Sequence, residues 1–158
     1  MPEAGFLRFY YARGNARSVT GVASLHDREV TMSKKVKWLD QPDAEDFPKA
    51  ANYLHLLVSD SAVDATVRAL GAAPLTHHKA KDILRASCLP LLDAANPHVV
   101  GYLKLIRDGV RLSPILLVRG NLAAGVPLHI ADGYHRVCAS YLTNENTEIP
   151  VRLADLTL

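Results

Sequence analysis

Apolar positions fall into two regimes along this chain. Between Trp38 and residue 107 they recur at helical spacing, and from Pro114 onward they gather into short runs separated by turn residues. Residues 47–58 carry Ala50, Tyr53, Leu54 and Leu57 on one stripe, which predicts a helix after the Gln41-Pro42-Asp43 turn. Ser59 or Asp60 can cap a second helix bearing Val63, Val67 and Leu70, with Gly71 as its stop. Thr76 then opens a third helical stretch with Ala80, Ile83, Leu84 and Ser87 on one side, ended by Pro90. Asn96-Pro97 pairs a capping residue with proline at the first helical position. The helix it starts turns Val100, Leu103 and Ile106 inward and ends at Asp108-Gly109.

The texture changes at residues 114–118 (PILLV), a fully apolar run that predicts a strand buried on both faces. Gly120-Asn121 and Gly125 punctuate a hairpin-like connection to a second strand at 128–130. Asp132-Gly133 breaks that strand, 134–142 reads as a helix, and 149–153 is a third strand. A helical N-terminal half packed on a small mixed-sheet core gives an α+β fold. The predicted division is an N-terminal extension over 1–31 and a single domain over 32–158, with a helical part at 38–95 and a core at 96–153.

Composition narrows the partners. A net charge of +2 on 158 residues excludes a polyanion-coating protein. Two cysteines, Cys88 and Cys138, are too few for a disulfide scaffold and suit a reducing cytoplasm as small core residues. No apolar run has the length to cross a bilayer, and arginines interrupt every apolar stretch near the N-terminus, so neither a membrane partner nor a signal peptide is expected. Residues 8–17 carry no acid and read as a basic-aromatic arm that could touch nucleic acid, or as a bland upstream extension. His77, Lys81 and Arg85, with Lys79 nearby, make a basic stripe on the third helix that reads as a solvated face.

The densest chemistry is Ala131-Asp132-Gly133-Tyr134-His135-Arg136, where a strand ends and a helix begins. Unpaired N–H groups at a helix start favour an anion, and Gly133 lets the backbone turn sharply or approach a ligand. His135 and Arg136 would add donors, Arg136 gripping phosphate with two hydrogen bonds, and Tyr134 would stack on a base or ribose. His98, just inside its own helix, would face the same pocket. Because Arg136 opposes the helix dipole, its loss is expected to leave stability nearly unchanged while weakening ligand binding.

The stretches LSPILLVRG, PLHIADGYHRVCASY and IPVRL resemble the core of the ParB/sulfiredoxin-like superfamily, over residues 96–153. Gly133, His135 and Arg136 match the sulfiredoxin Gly-Cys-His-Arg turn, but Tyr134 stands at the cysteine position, which removes sulfiredoxin chemistry. Gly133, Arg136 and Ala139 match the partition-protein turn that binds CTP, without a helix-turn-helix after it. Asp132, Gly133, His135 and Arg136 match the Asp-Gly-His-His-Arg turn of free serine kinases, with Tyr134 replacing the first histidine. That resemblance implies a nucleotide ligand (ATP, ADP or CTP) with Mg²⁺. Asp132 would then bind the metal or orient an acceptor hydroxyl, Asp93 would supply the upstream acid, and His135 and Arg136 would hold phosphates, with Gly133, Tyr134 and His98 completing the nucleotide site. The two functions in contention are a small-molecule phosphotransferase and a non-enzymatic nucleotide-responsive module, the latter with nucleic acid as a further partner. An acid across the pocket from Asp132 would favour catalysis.

Overall fold

A computed structural model describes residues 34–158. The basic-aromatic arm at 8–17 and the proposed extension at 1–31 lie outside the described residues. Eleven elements follow in order: β1 (Lys37–Trp38), α1 (Asp46–Leu54), α2 (Asp60–Ala72), β2 (Leu75–Lys79), α3 (Ala80–Ser87), α4 (Pro97–Arg107), β3 (Arg111–Leu112), β4 (Ile115–Val118), β5 (His129–Asp132), α5 (Tyr134–Thr143) and β6 (Glu148–Ala154). A four-stranded mixed sheet runs β2-β6-β4-β5, with β4 parallel to β6 and the other two pairings antiparallel. A short parallel pair, β1-β3, stands beside it. The fold is α+β.

The central strand β4 explains the layering. Its four residues are all buried, as an apolar strand covered on both faces must be. Ile115 and Leu117 enter one core with Ile83, Val99, Ile106, Val137, Ile149 and Val151. Leu116 and Val118 enter the other with Ala50, Leu54, Val63 and Leu70. Alternation along one strand thus places α3, α4 and α5 on one face of the sheet and α1 and α2 on the other.

Several expectations are corrected. Residues 75–79 form strand β2, not the first turns of a helix, and pair with β6 from Leu75↔Arg152 to Lys79↔Glu148. The supposed helical stripe of His77, Lys81 and Arg85 therefore does not exist, because His77 and Lys79 sit on a strand. It follows that the part at 38–95 is not wholly helical, since it contributes β2 to the sheet. The first helix ends at Leu54, short of Val58. The second passes through Gly71 and stops at Ala73, whose extended backbone (ψ 140) is the conformation that the following Pro74 favours. On α4 Val99 and Ile106 are buried, while Val100 is exposed. The Asn96 cap is as expected: its side chain accepts from the backbone N–H groups of His98 and Val99.

Candidate functional site

The junction between β5 and α5 lies where the sequence places it. Gly133 has φ +107 and occupies the N-cap position without any side-chain cap. Only glycine adopts this backbone freely, and a Cβ there would also collide with the Ile115 side chain. With no capping side chain, the first-turn N–H groups of α5 lack acceptors and hold the positive end of the helix dipole. They border a pocket of about 460 Å³ lined by Lys49, His98, Tyr102 and residues 132–136.

Three of the predicted residues meet there as expected. His98 from α4 and His135 from α5 bring their rings to 4.7 Å between centroids, with planes inclined by 42°. Asp132, at the end of β5, keeps part of its carboxylate accessible beside them. Burial pushes the His135 imidazole below its ordinary value, and His98 adds to the shift. Burial likewise raises the Asp132 carboxyl and Asp46 adds to it, while Arg136 pulls the other way. Tyr134 lines the same pocket, but its hydroxyl donates to the carbonyl of Pro90, which fixes the ring against the loop before α4.

Arg136 is the main correction at the site. Its side chain is only 6% exposed, and both terminal nitrogens of its guanidinium are spent within the protein, while Nε is buried without a partner. Nη1 donates to Asp46 Oδ2 at 3.1 Å and to the Ser113 carbonyl at 2.8 Å, and Nη2 donates to Asp132 Oδ2. Ser113 completes the cluster by donating from its hydroxyl to Asp46 Oδ2 at 2.5 Å. The expected two-pronged grip on a phosphate is therefore absent. Those donors tie α1, β5 and the segment before β4 to α5 instead. A guanidinium this deep needs carboxylates around it, because an unpaired buried charge is far costlier than a paired one.

Asp93 is corrected as well. It lies in the exposed turn before α4, accepts from the N–H groups of Ala95 and Asn96, and does not line the pocket. The acid near Asp132 is Asp46, and it lies behind the pocket, 4% exposed. Sequence reasoning missed Asp46, Lys49 and Ser113. Lys49 follows Asp46 by one helical turn and sits 3.7 Å from its carboxylate, with 58% of its side chain exposed at the pocket. Among the described residues no three His, Cys, Asp or Glu side chains converge as a metal cage. A Mg²⁺ at Asp132 still fits, since this ion takes one or two carboxylates and completes its shell with phosphate oxygens and water.

A larger pocket of about 500 Å³ lies away from this junction, between Trp38, His77 and the turn before β6. Its lining includes neither the start of α5 nor the His98–His135 pair. Among the described residues, no helix is long and apolar enough to cross a membrane. Comparison of the chain with protein-family models, with curated proteins and with solved structures returned no match.

Proposed function

We propose that the pocket at the start of α5 binds the phosphate groups of a nucleotide, of the ATP, ADP or CTP type. One observation carries this reading: the uncapped N-terminus of α5, Lys49, His98 and His135 converge on a single pocket. Lys49 and Arg136 are balanced by Asp46 and Asp132, so the ligand's charge is met by backbone N–H groups and imidazoles more than by excess cation. The ParB/sulfiredoxin-like resemblance supports the same ligand class, and Tyr102 and Tyr134 offer rings beside a base or ribose. Two free thiols, Cys88 and Cys138, suit the cytoplasm, where nucleotides are plentiful. A nucleic acid remains the alternative ligand with the same phosphate chemistry.

A phosphotransferase reading is favoured by Asp132 alone. A carboxyl held above its ordinary value by burial, at the lip of the proposed phosphate pocket, is suited to accept the proton of an acceptor hydroxyl. Alternatively Asp132 would hold Mg²⁺, which would neutralise phosphate oxygens there, and would then not act as the proton acceptor. Arg136 would hold the Asp132 carboxylate in place and would not itself touch the ligand.

The test is a thermal-shift panel of ATP, ADP, CTP and GTP with Mg²⁺. A ligand that binds only the native state raises stability by RT ln(1 + [L]/Kd), which is about 2.7 kcal/mol at a hundredfold excess over Kd. At least one nucleotide should raise Tm in wild type and fail to do so after Lys49→Ala combined with His135→Gln. If no nucleotide raises Tm at millimolar concentration, the phosphate reading is wrong.

A further inference from the structure

We propose that His98 and His135 form a proton-linked clasp, in which a bound phosphate dianion draws about one additional proton onto the imidazole pair. The proposal rests on the phosphate reading above and adds how that site is regulated. Two separate helix starts each deliver one imidazole: His98 is the second residue of α4, and His135 the second of α5. The rings meet at 4.7 Å across the pocket, and no described group hydrogen-bonds to either ring. Donors and acceptors on both rings are thus open to a ligand.

The surroundings disfavour two protons on an empty pair. Lys49 faces the pocket from α1, Tyr102 from α4, Asp132 from the end of β5, and Tyr134 and Arg136 from α5. Asp132 is the lone carboxylate among them, and it is already paired with Arg136. Both histidines lie in first helical turns, where the dipole opposes positive charge. A second imidazolium would therefore face its twin, Lys49 and the uncapped start of α5, with the Arg136-paired Asp132 as the one carboxylate in the pocket lining. Burial of His135 and the nearness of His98 act in the same direction, holding His135 below its ordinary value.

A phosphate dianion at the open edges of both rings reverses these signs. It accepts hydrogen bonds from both imidazolium groups and screens each from the other, so the pair's proton affinity rises on binding. By linkage, the ligand must then bind more tightly as pH falls, with proton uptake equal to the slope of log affinity against pH.

The experiment is calorimetric titration of the full chain with sulfate, a dianion that does not itself titrate near neutrality. It is run in two buffers of unlike ionisation enthalpy, from about pH 6 to about pH 8. Close to one proton should be taken up per sulfate near pH 7, with affinity falling by up to about tenfold per pH unit as pH rises. The His98→Gln/His135→Gln double variant, checked for folding by circular dichroism, should bind weakly and without proton uptake. If that variant does not fold, imidazole ¹⁵N shifts in wild type decide: the His98 and His135 signals together must gain about one proton on adding sulfate. Binding with no proton uptake and no pH dependence overturns the clasp but leaves the phosphate site standing. If neither sulfate nor ATP binds anywhere in this range, both readings fall.

Discussion

Asp46 and Arg136 are 90 positions apart in sequence and meet inside the protein, Nη1 to Oδ2 at 3.1 Å, each no more than 6% exposed. One guanidinium thereby joins the first helix of the described chain to the helix that opens the pocket. It holds Asp132 at the pocket lip with its other nitrogen. Arg136 and Asp132 of this charge cluster line the pocket, and Asp46 lies outside its lining.

Arg136→Ala is expected to cost about 3–5 kcal/mol, because it leaves Asp46 and Asp132 without their buried cation. This reverses the expectation drawn from sequence, in which Arg136 was a phosphate-gripping group working against its helix dipole and a tie to a buried carboxylate such as Asp132 was the alternative. Asp46→Ala should cost a similar amount, and the double variant much less than the sum. Urea denaturation of the four proteins checks this; changes under about 0.5 kcal/mol for either single variant would show the cluster to be incidental.

Gly133→Ala should destabilise by roughly 2 kcal/mol or more. The substitution forces an L side chain into φ +107 and presses its Cβ against the buried Ile115 side chain. Thermal denaturation measures the loss, and a Tm equal to wild type would mean that β5 and α5 are joined by some other backbone path.

Much of the fold around this junction is legible in the sequence. The apolar run at β4 has no other home than a strand covered on both faces, and Asp132-Gly133 marks a break that Gly133's positive φ makes obligatory. Strand β2 is not legible for a matching reason. As an edge strand it has one partner, β6, and four of its five residues are exposed, so it carries no alternating pattern. Thr76, Ala80, Ile83 and Ser87 then mimic a longer helix. At the site, the residues of the β5–α5 turn and His98 were readable because helix starts have local signals. Asp46 was not: nothing in DAEDFPKA tells which acid will meet an arginine on the far side of the fold. Without that partner, Arg136 reads as a ligand-binding group.

Stability should fall as the solution is acidified below the ordinary histidine value of 6.5. Burial and His98 depress the His135 imidazole in the folded protein, so the unfolded chain takes up a proton that the native state refuses. The contribution is fully present above 6.5 and is lost as pH drops from there through the lower folded value. Comparing Tm between about pH 7.5 and about pH 5.5, His135→Gln should show a smaller decline than wild type. An identical decline would mean that other groups govern the acid limb.

Lys49→Ala separates binding from folding. Its pairing with Asp46 is long, at 3.7 Å, and its side chain is mostly exposed, so stability should change by less than about 0.5 kcal/mol. Affinity for ATP should drop roughly three- to tenfold, since a charged contact to phosphate is lost. Unchanged affinity would remove Lys49 from the ligand site.

The central claim is that phosphate groups sit at the start of α5, and backbone amide NMR during titration with ATP and Mg²⁺ tests it most directly. Donation from first-turn N–H groups to an anion should move the Tyr134, His135 and Arg136 amide signals most, with Gly133, Lys49 and His98 following and saturating along one binding curve. Signals that move instead around Trp38 and His77, or that do not move at all at millimolar ATP, would contradict the account.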